Sequence, residues 1–323
     1  MRPHNERGDL ILTLPALKGF RKADPKARIT LVGGPKHRQL APCLNMVDRF
    51  LVLDKGLFSF LRMVQEIREP KPDLAVCLST VSVSATSTFL TALSGARITA
   101  GRVRGTVTAE PEIRPFLDIL FPSQVPGRHQ SDLSLDFLGA LERPTGETAL
   151  PLLVVPEGNE KQARDIFGQT GLKHRAPLVY LHVGAGKEAN RWPSLLWARL
   201  GDLLWAELNA SLLINISPGD EGQIEKVVGQ MRARPVVTPG AGLLDSAAQA
   251  AGCHLFIGND TGMLHVAAAF GVPTIGLYGP TRPEEWAPPS PRHRSLSGEK
   301  GEIGLITPEE VLRAARIALR IAP

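Results

Sequence analysis

The 323-residue sequence is poor in the features that mark several large classes of protein. Aromatic residues make up only 5% and are not interleaved with basic clusters, which argues against a nucleic-acid-binding surface. The net charge of +5, with an isoelectric point near 9.3, is too mild for that role. It fits phosphorylated small molecules or peripheral contact with an anionic lipid surface. No apolar run approaches the ~20 residues that span a bilayer, because Gly, Pro or a charge interrupts each one. Near the N-terminus only residues 10–14 are apolar, after Arg2, Glu6, Arg7 and Asp9, so no signal-peptide pattern is present. Cysteine is scarce: Cys43, Cys77 and Cys253 are odd in number and far apart. Free buried thiols in a reducing cytosol are expected, and with them a cytoplasmic protein, at most peripheral to the inner membrane. The acidic residues form no DxD-type pair and the eight histidines are scattered, which predicts a reaction with no bound metal or cofactor.

What is present is a regular alternation of apolar strand-like runs with helical patterns, in a soluble composition that is 43% hydrophobic and 21% charged. Strands are expected at 28–33, 50–53, 73–78 and 97–101, with helices at 10–23, 57–68, 83–93 and 131–141. Pro15 should sit in the first turns of the opening helix or kink it. Prolines at 111, 115, 122, 126 and 144 leave residues 102–150 irregular. The second half alternates more cleanly, with strands at 178–182, 212–216, 236–237, 255–257 and 274–278. Helices are expected at 157–168, 193–208, 221–231, 243–251 and from Pro308 to about Arg320. Strands separated by helices argue for an α/β fold with parallel sheets in two domains. The boundary falls in the tether at 151–156, giving domains 1–152 and 153–306. The arginines of the final helix fit a solvated face.

The chain is organised around residues 254–286. A buried strand ends at Gly258-Asn259, Asp260 or Thr261 can cap a helix, and Gly262 removes a side chain at its start. Free amides and the helix dipole at such a start favour an anion, for which a diphosphate is the natural candidate. An ordinary βαβ crossover explains the same spacing.

Three segments, in order, resemble one family. Ile257-Gly-Asn-Asp-Thr-Gly-Met-Leu-His265, then Ala-Ala-Ala-Phe-Gly-Val-Pro273-Thr and Gly279-Pro-Thr281, is similar to the donor-site segment of the heptosyltransferases, glycosyltransferase family 9. Gly8-Asp-Leu-Ile-Leu-Thr-Leu-Pro-Ala-Leu17 and His182-Val-Gly-Ala-Gly186 with Arg191-Trp-Pro193 extend the match from residue 8 to 286. The resemblance implies a GT-B fold: two doubly wound Rossmann-like domains facing a cleft, the N-terminal one acceptor-side and the C-terminal one donor-binding. It implies inverting transfer of a heptose-like sugar from ADP-heptose, or another nucleotide-diphospho-sugar, to a lipopolysaccharide-core or related glycan or glycolipid acceptor. On this reading Asp9 is the general base, although capping the helix that follows would also explain it. Asp260, Thr261, Gly262 and Met263 hold the diphosphate, with His265 adding a hydrogen bond or simply packing its helix. Gly184, Ala185 and Gly186 allow close backbone approach, and Glu221 contacts ribose or adenine or serves its own helix start. Where the resemblance implies a donor-site Lys this sequence has Asn190, a departure for which Lys187 or Arg191 could compensate.

Two further expectations follow from the resemblance. The last helix, 307–321, packs back on the N-terminal domain. That domain lacks its first strand, because residues 1–7 are polar where the family has an apolar strand. A nucleotide-sugar 2-epimerase and a catalytically impaired nucleotide-sugar binding relative share the architecture and stand as alternatives.

Overall fold

The computed structural model describes residues 7–79, 84–103, 116–122, 125, 127–140, 152–172, 177–216, 219–239 and 242–321, and most strands among them are separated by helices. Several expected features lie outside the described residues: the polar start at 1–6, the prolines at 111, 115, 126, 144 and 151, and the helix ends Val83 and Leu141. The chain divides into two compact units, 1–152 and 153–323.

The first unit opens with α1 (Arg7–Ile11) and α2 (Leu14–Ala23) rather than one helix. Pro15 explains the break, since it has no N–H to donate and its ring crowds the preceding turn. The Thr13 hydroxyl donates to Leu10 O at 2.6 Å, closing the gap between the two helices. Then come β1 (Thr30–Gly33), β2 (Arg49–Val52), α3 (Leu57–Arg68), β3 (Leu74–Val76), α4 (Ala85–Ala92), β4 (Ile98–Val103), β5 (Ile119–Pro122) and α5 (Gln130–Ala140). Strand β5 falls in the stretch expected to be irregular. Among the described residues the strands form two parallel sheets, β1-β2 and β3-β4-β5.

The second unit carries α6 (Glu157–Gln169), β6 (Leu178–His182), α7 (Ser194–Leu208), β7 (Ser211–Asn215), α8 (Glu221–Gln230), β8 (Val236–Thr238), α9 (Leu243–Ala251), β9 (Leu255–Asn259), α10 (Gly262–Ala269), β10 (Thr274–Tyr278), α11 (Pro283–Trp286), β11 (His293–Ser297) and α12 (Pro308–Ile321). Its six strands form one parallel sheet in the order β11-β10-β9-β6-β7-β8. Strands β6, β9 and β10 are buried at every position, as a sheet covered on both faces requires. Trp192 and Trp197 are fully buried and meet edge to face at 5.0 Å, and the Trp192 indole donates to Ile306 O. Burying aromatics of this size is among the largest single contributions a core receives.

The last helix corrects one expectation: α12 lies on its own unit, against α7, β9, β10 and β11. Thr307 and Glu310 form a reciprocal capping box that starts it. Val311, Leu312, Ala314, Ala315 and Ala318 then enter the core cluster built from α7 and the sheet. Small alanines let the helix approach closely. The exposed pairs Arg199–Glu309 and Arg316–Glu207 add little beyond orientation.

Candidate functional site

In the six-stranded sheet the chain runs outward one way through β6, β7 and β8, and the other way through β9, β10 and β11. The reversal lies between β6 and β9, and ligands of open α/β sheets bind outside the carboxyl ends of the strands at such a switch point. The two segments leaving those strand ends are the loop at 183–193 and the start of α10. Both carry the residues singled out in the sequence.

Asn259, fully buried at the end of β9, ties them together. Its amide donates to Val183 O at 2.8 Å and Gly184 O at 3.2 Å, and its carbonyl accepts the Trp192 N–H at 3.2 Å. One side chain thus holds both ends of the 183–192 loop against the neighbouring strand. The Asn190 amide reaches the Asp260 carboxylate at 3.3 Å, fastening the loop a second time. Asn259 and the Asn190–Asp260 contact escape sequence reasoning, because a polar residue at a strand end does not announce its partners.

Helix α10 begins without a side-chain cap: Thr261 is extended and makes no capping hydrogen bond, and neither Thr261 nor Asp260 takes the expected capping role. The first amides of the helix, from Gly262 and Met263, lack intrahelical acceptors by geometry. The Thr261 hydroxyl and the Asn190 carbonyl oxygen are buried with no hydrogen-bond partner among the described residues. Buried polar atoms without partners in a native fold point to a ligand or water. Burial pushes the Asp260 carboxyl up, while the Thr281 hydroxyl and the Lys187 charge pull the other way. His265 is buried one turn into the helix.

The two candidate cations behave differently. Arg191 is committed to the protein: it donates to Gln223 Oε1 at 2.5 Å and Ala185 O at 2.7 Å, and pairs with Asp220 at 3.3 Å and Glu188 at 3.6 Å. Lys187 is exposed, and its charge favours the ionised Asp260 carboxylate. Burial raises the Asp220 carboxyl against the opposing pull of Arg191. A Cβ on Gly184 would meet the Asp220 carboxylate at 2.0 Å, so this glycine makes room for an internal partner; Gly186 has open space around it. Glu221 is exposed at the start of α8, where it accepts the Gly219 N–H at 2.8 Å and so serves its own loop. Asp9 lies in the first unit, half-buried in the opening turn of α1. Burial pulls His182, at the end of β6, down to about 4. Among the described residues there is no group of three or more His, Cys, Asp or Glu that could hold a metal.

Comparison with known proteins decides the family. The model of glycosyltransferase family 9 (heptosyltransferase) matches residues 139–304, which include the whole of the switch-point site. The chain belongs to glycosyltransferase family 9. Among other members of the family, lipopolysaccharide heptosyltransferase 1 of Pseudomonas aeruginosa is 27% identical over 292 residues, covering 85% of this chain and 77% of the relative. The crystal structure of a family 9 glycosyltransferase from Veillonella parvula superposes with a TM-score of 0.86 at 26% identity, covering 99% of this chain and 96% of that one. The Escherichia coli heptosyltransferase WaaC with ADP shares the fold at a TM-score of 0.71 and 21% identity, covering 99% of this chain and 100% of that one. This family 9 chain is therefore an α/β enzyme of the GT-B type, a glycosyltransferase with heptosyltransferase relatives.

Proposed function

We propose that the protein is an inverting transferase that moves a heptose-like sugar from ADP-heptose, or a close nucleotide-diphospho-sugar, to a lipopolysaccharide-core or related glycan acceptor. The observation that carries this reading is the uncapped start of α10 at the switch point, with the Thr261 hydroxyl and Asn190 carbonyl buried and unpartnered beside it. Helix-start amides favour the diphosphate, and Lys187 is the cation that offsets charge building on it as the sugar leaves. Arg191 shapes the loop through Ala185, Gln223 and Asp220. Asp9 is the general base, because inversion needs a carboxylate to take the acceptor hydroxyl's proton while the diphosphate departs from the opposite face. The ADP named for the E. coli relative supports the choice of nucleotide.

The test is ADP release from ADP-heptose with and without a lipopolysaccharide-core acceptor. Acceptor-dependent release with a new glycosidic product is expected. Conversion of the donor with no acceptor present would instead identify an isomerase, and donor binding without turnover a binding protein.

A further inference from the structure

We propose that the exposed start of α3 is a docking surface for an anionic lipid bilayer. The inference rests on the first unit alone and is independent of the transfer reaction. Helix α3 buries Met63 and Ile67, packed with Phe60 and Val64 against β1, β2 and α4. Its opposite face carries Leu57, Phe58 and Leu61, exposed by 69%, 88% and 54%. At 100° per residue these three fall on one stripe, with Arg62 on its flank. Single exposed apolar residues are ordinary, but a contiguous patch rimmed by polar groups marks an interaction surface.

The surroundings say what covers it. Lys55 precedes the helix and is exposed. Ion pairs join Arg62 and Arg49 to Glu66, and Arg38 to Asp54. Four cations against two carboxylates leave this region with excess positive charge. An apolar face set among basic side chains suits the boundary between anionic headgroups and acyl chains. Leu57 and Phe60 also line a cavity of about 450 Å³ shared with Leu53 and Leu90 and with Asp54 and Lys55, so the stripe borders a recess that is part apolar and part charged. A second copy of the chain fits poorly: a stable dimer buries about 800 Å² on each partner, far more than three side chains offer.

Co-flotation of the full chain with vesicles tests the proposal. Vesicles containing phosphatidylglycerol should carry the protein, pure phosphatidylcholine vesicles should carry less, and added salt should weaken only the former. Because the stripe is solvated, Leu57→Ser/Phe58→Ser/Leu61→Ser should keep the parental melting temperature while partitioning falls about tenfold or more. Should the triple variant fail to fold, Phe58→Ser alone must still reduce flotation, and Lys55→Glu must reduce it on phosphatidylglycerol vesicles. A full chain that ignores phosphatidylglycerol vesicles would overturn the proposal. So would folded variants that float like the parent, or a concentration-dependent dimer, seen by light scattering, that the triple variant loses.

Discussion

The two units follow one plan to different degrees of completion. In the second, six strands pair without interruption, and the switch point at β6 and β9 is spanned by Asn259. In the first, the described strands fall into a pair and a triplet. The continuous sheet supports a site whose loop is fixed from both ends, the preorganisation that recognition of a charged leaving group requires. The split sheet carries one candidate chemical group, Asp9, on a helix of five residues. On the proposed reading donor binding belongs to the second unit and proton transfer to Asp9 of the first, so variants should separate the two.

Asp9→Asn should give the largest effect. Asn keeps the size and loses the charge, so turnover should drop on the order of 10²–10⁴-fold, the range for a lost acid or base. ADP affinity, measured by calorimetry, should stay at the parental level. A variant with near-parental turnover would remove the first unit from the chemistry.

Asn259→Ala attacks the frame of the second unit. It strips partners from two carbonyls and one amide, all buried, and should cost on the order of 2–4 kcal/mol in denaturant unfolding. ADP binding should weaken with it as the 183–192 loop loosens. Unchanged stability would mean that the loop is held elsewhere.

Lys187→Met sharpens the distinction between the two cations. Loss of one charge-assisted contact should weaken ADP binding by roughly tenfold and leave the melting temperature unchanged. Arg191→Met should lower the melting temperature as well, because Arg191 bonds to Ala185, Gln223 and Asp220. The opposite pattern would exchange their roles.

The most gradual effect is with pH. His182 is buried neutral with its pKa lowered from 6.5 to about 4, so between those values the unfolded chain binds the extra proton. Stability from this source is complete above about 6.5 and is lost as pH falls toward about 4, with a limiting slope on the order of 1 kcal/mol per pH unit. Urea unfolding of His182→Phe should show a shallower acid decline; an identical decline would assign it to other groups.

Legibility follows the same division. Helices α3 and α9 can be read to the residue, because their apolar positions recur at helical spacing between clear breakers. Strand β10 is equally plain, as an apolar run closed by Gly279-Pro280. Strand β11 is hidden: His293–Ser297 is half-exposed and polar at a sheet edge, where one-sided pairing needs no apolar pattern. Strand β5 is masked by the prolines around it. The stripe on α12 announces burial but not the surface that receives it, which is why its location is corrected by the structure. At the site, spacing marks the 183–193 loop and the start of α10 but cannot say which of two neighbouring cations is tied up. That choice depends on Asp220 and Gln223, some thirty residues away in sequence.

The packing of α12 bears on how the enzyme can be taken apart. Had the last helix returned to the first unit, isolating the donor side would have needed two cuts and an artificial join. Because α12 stays with its own sheet, residues 153–323 are an uninterrupted piece of polypeptide with their core helices in place. Leu153 already bonds to Ala269 within that piece. A single start point after Leu152 should therefore release the second unit as one piece, on which the proposed nucleotide binding can be measured apart from the first unit.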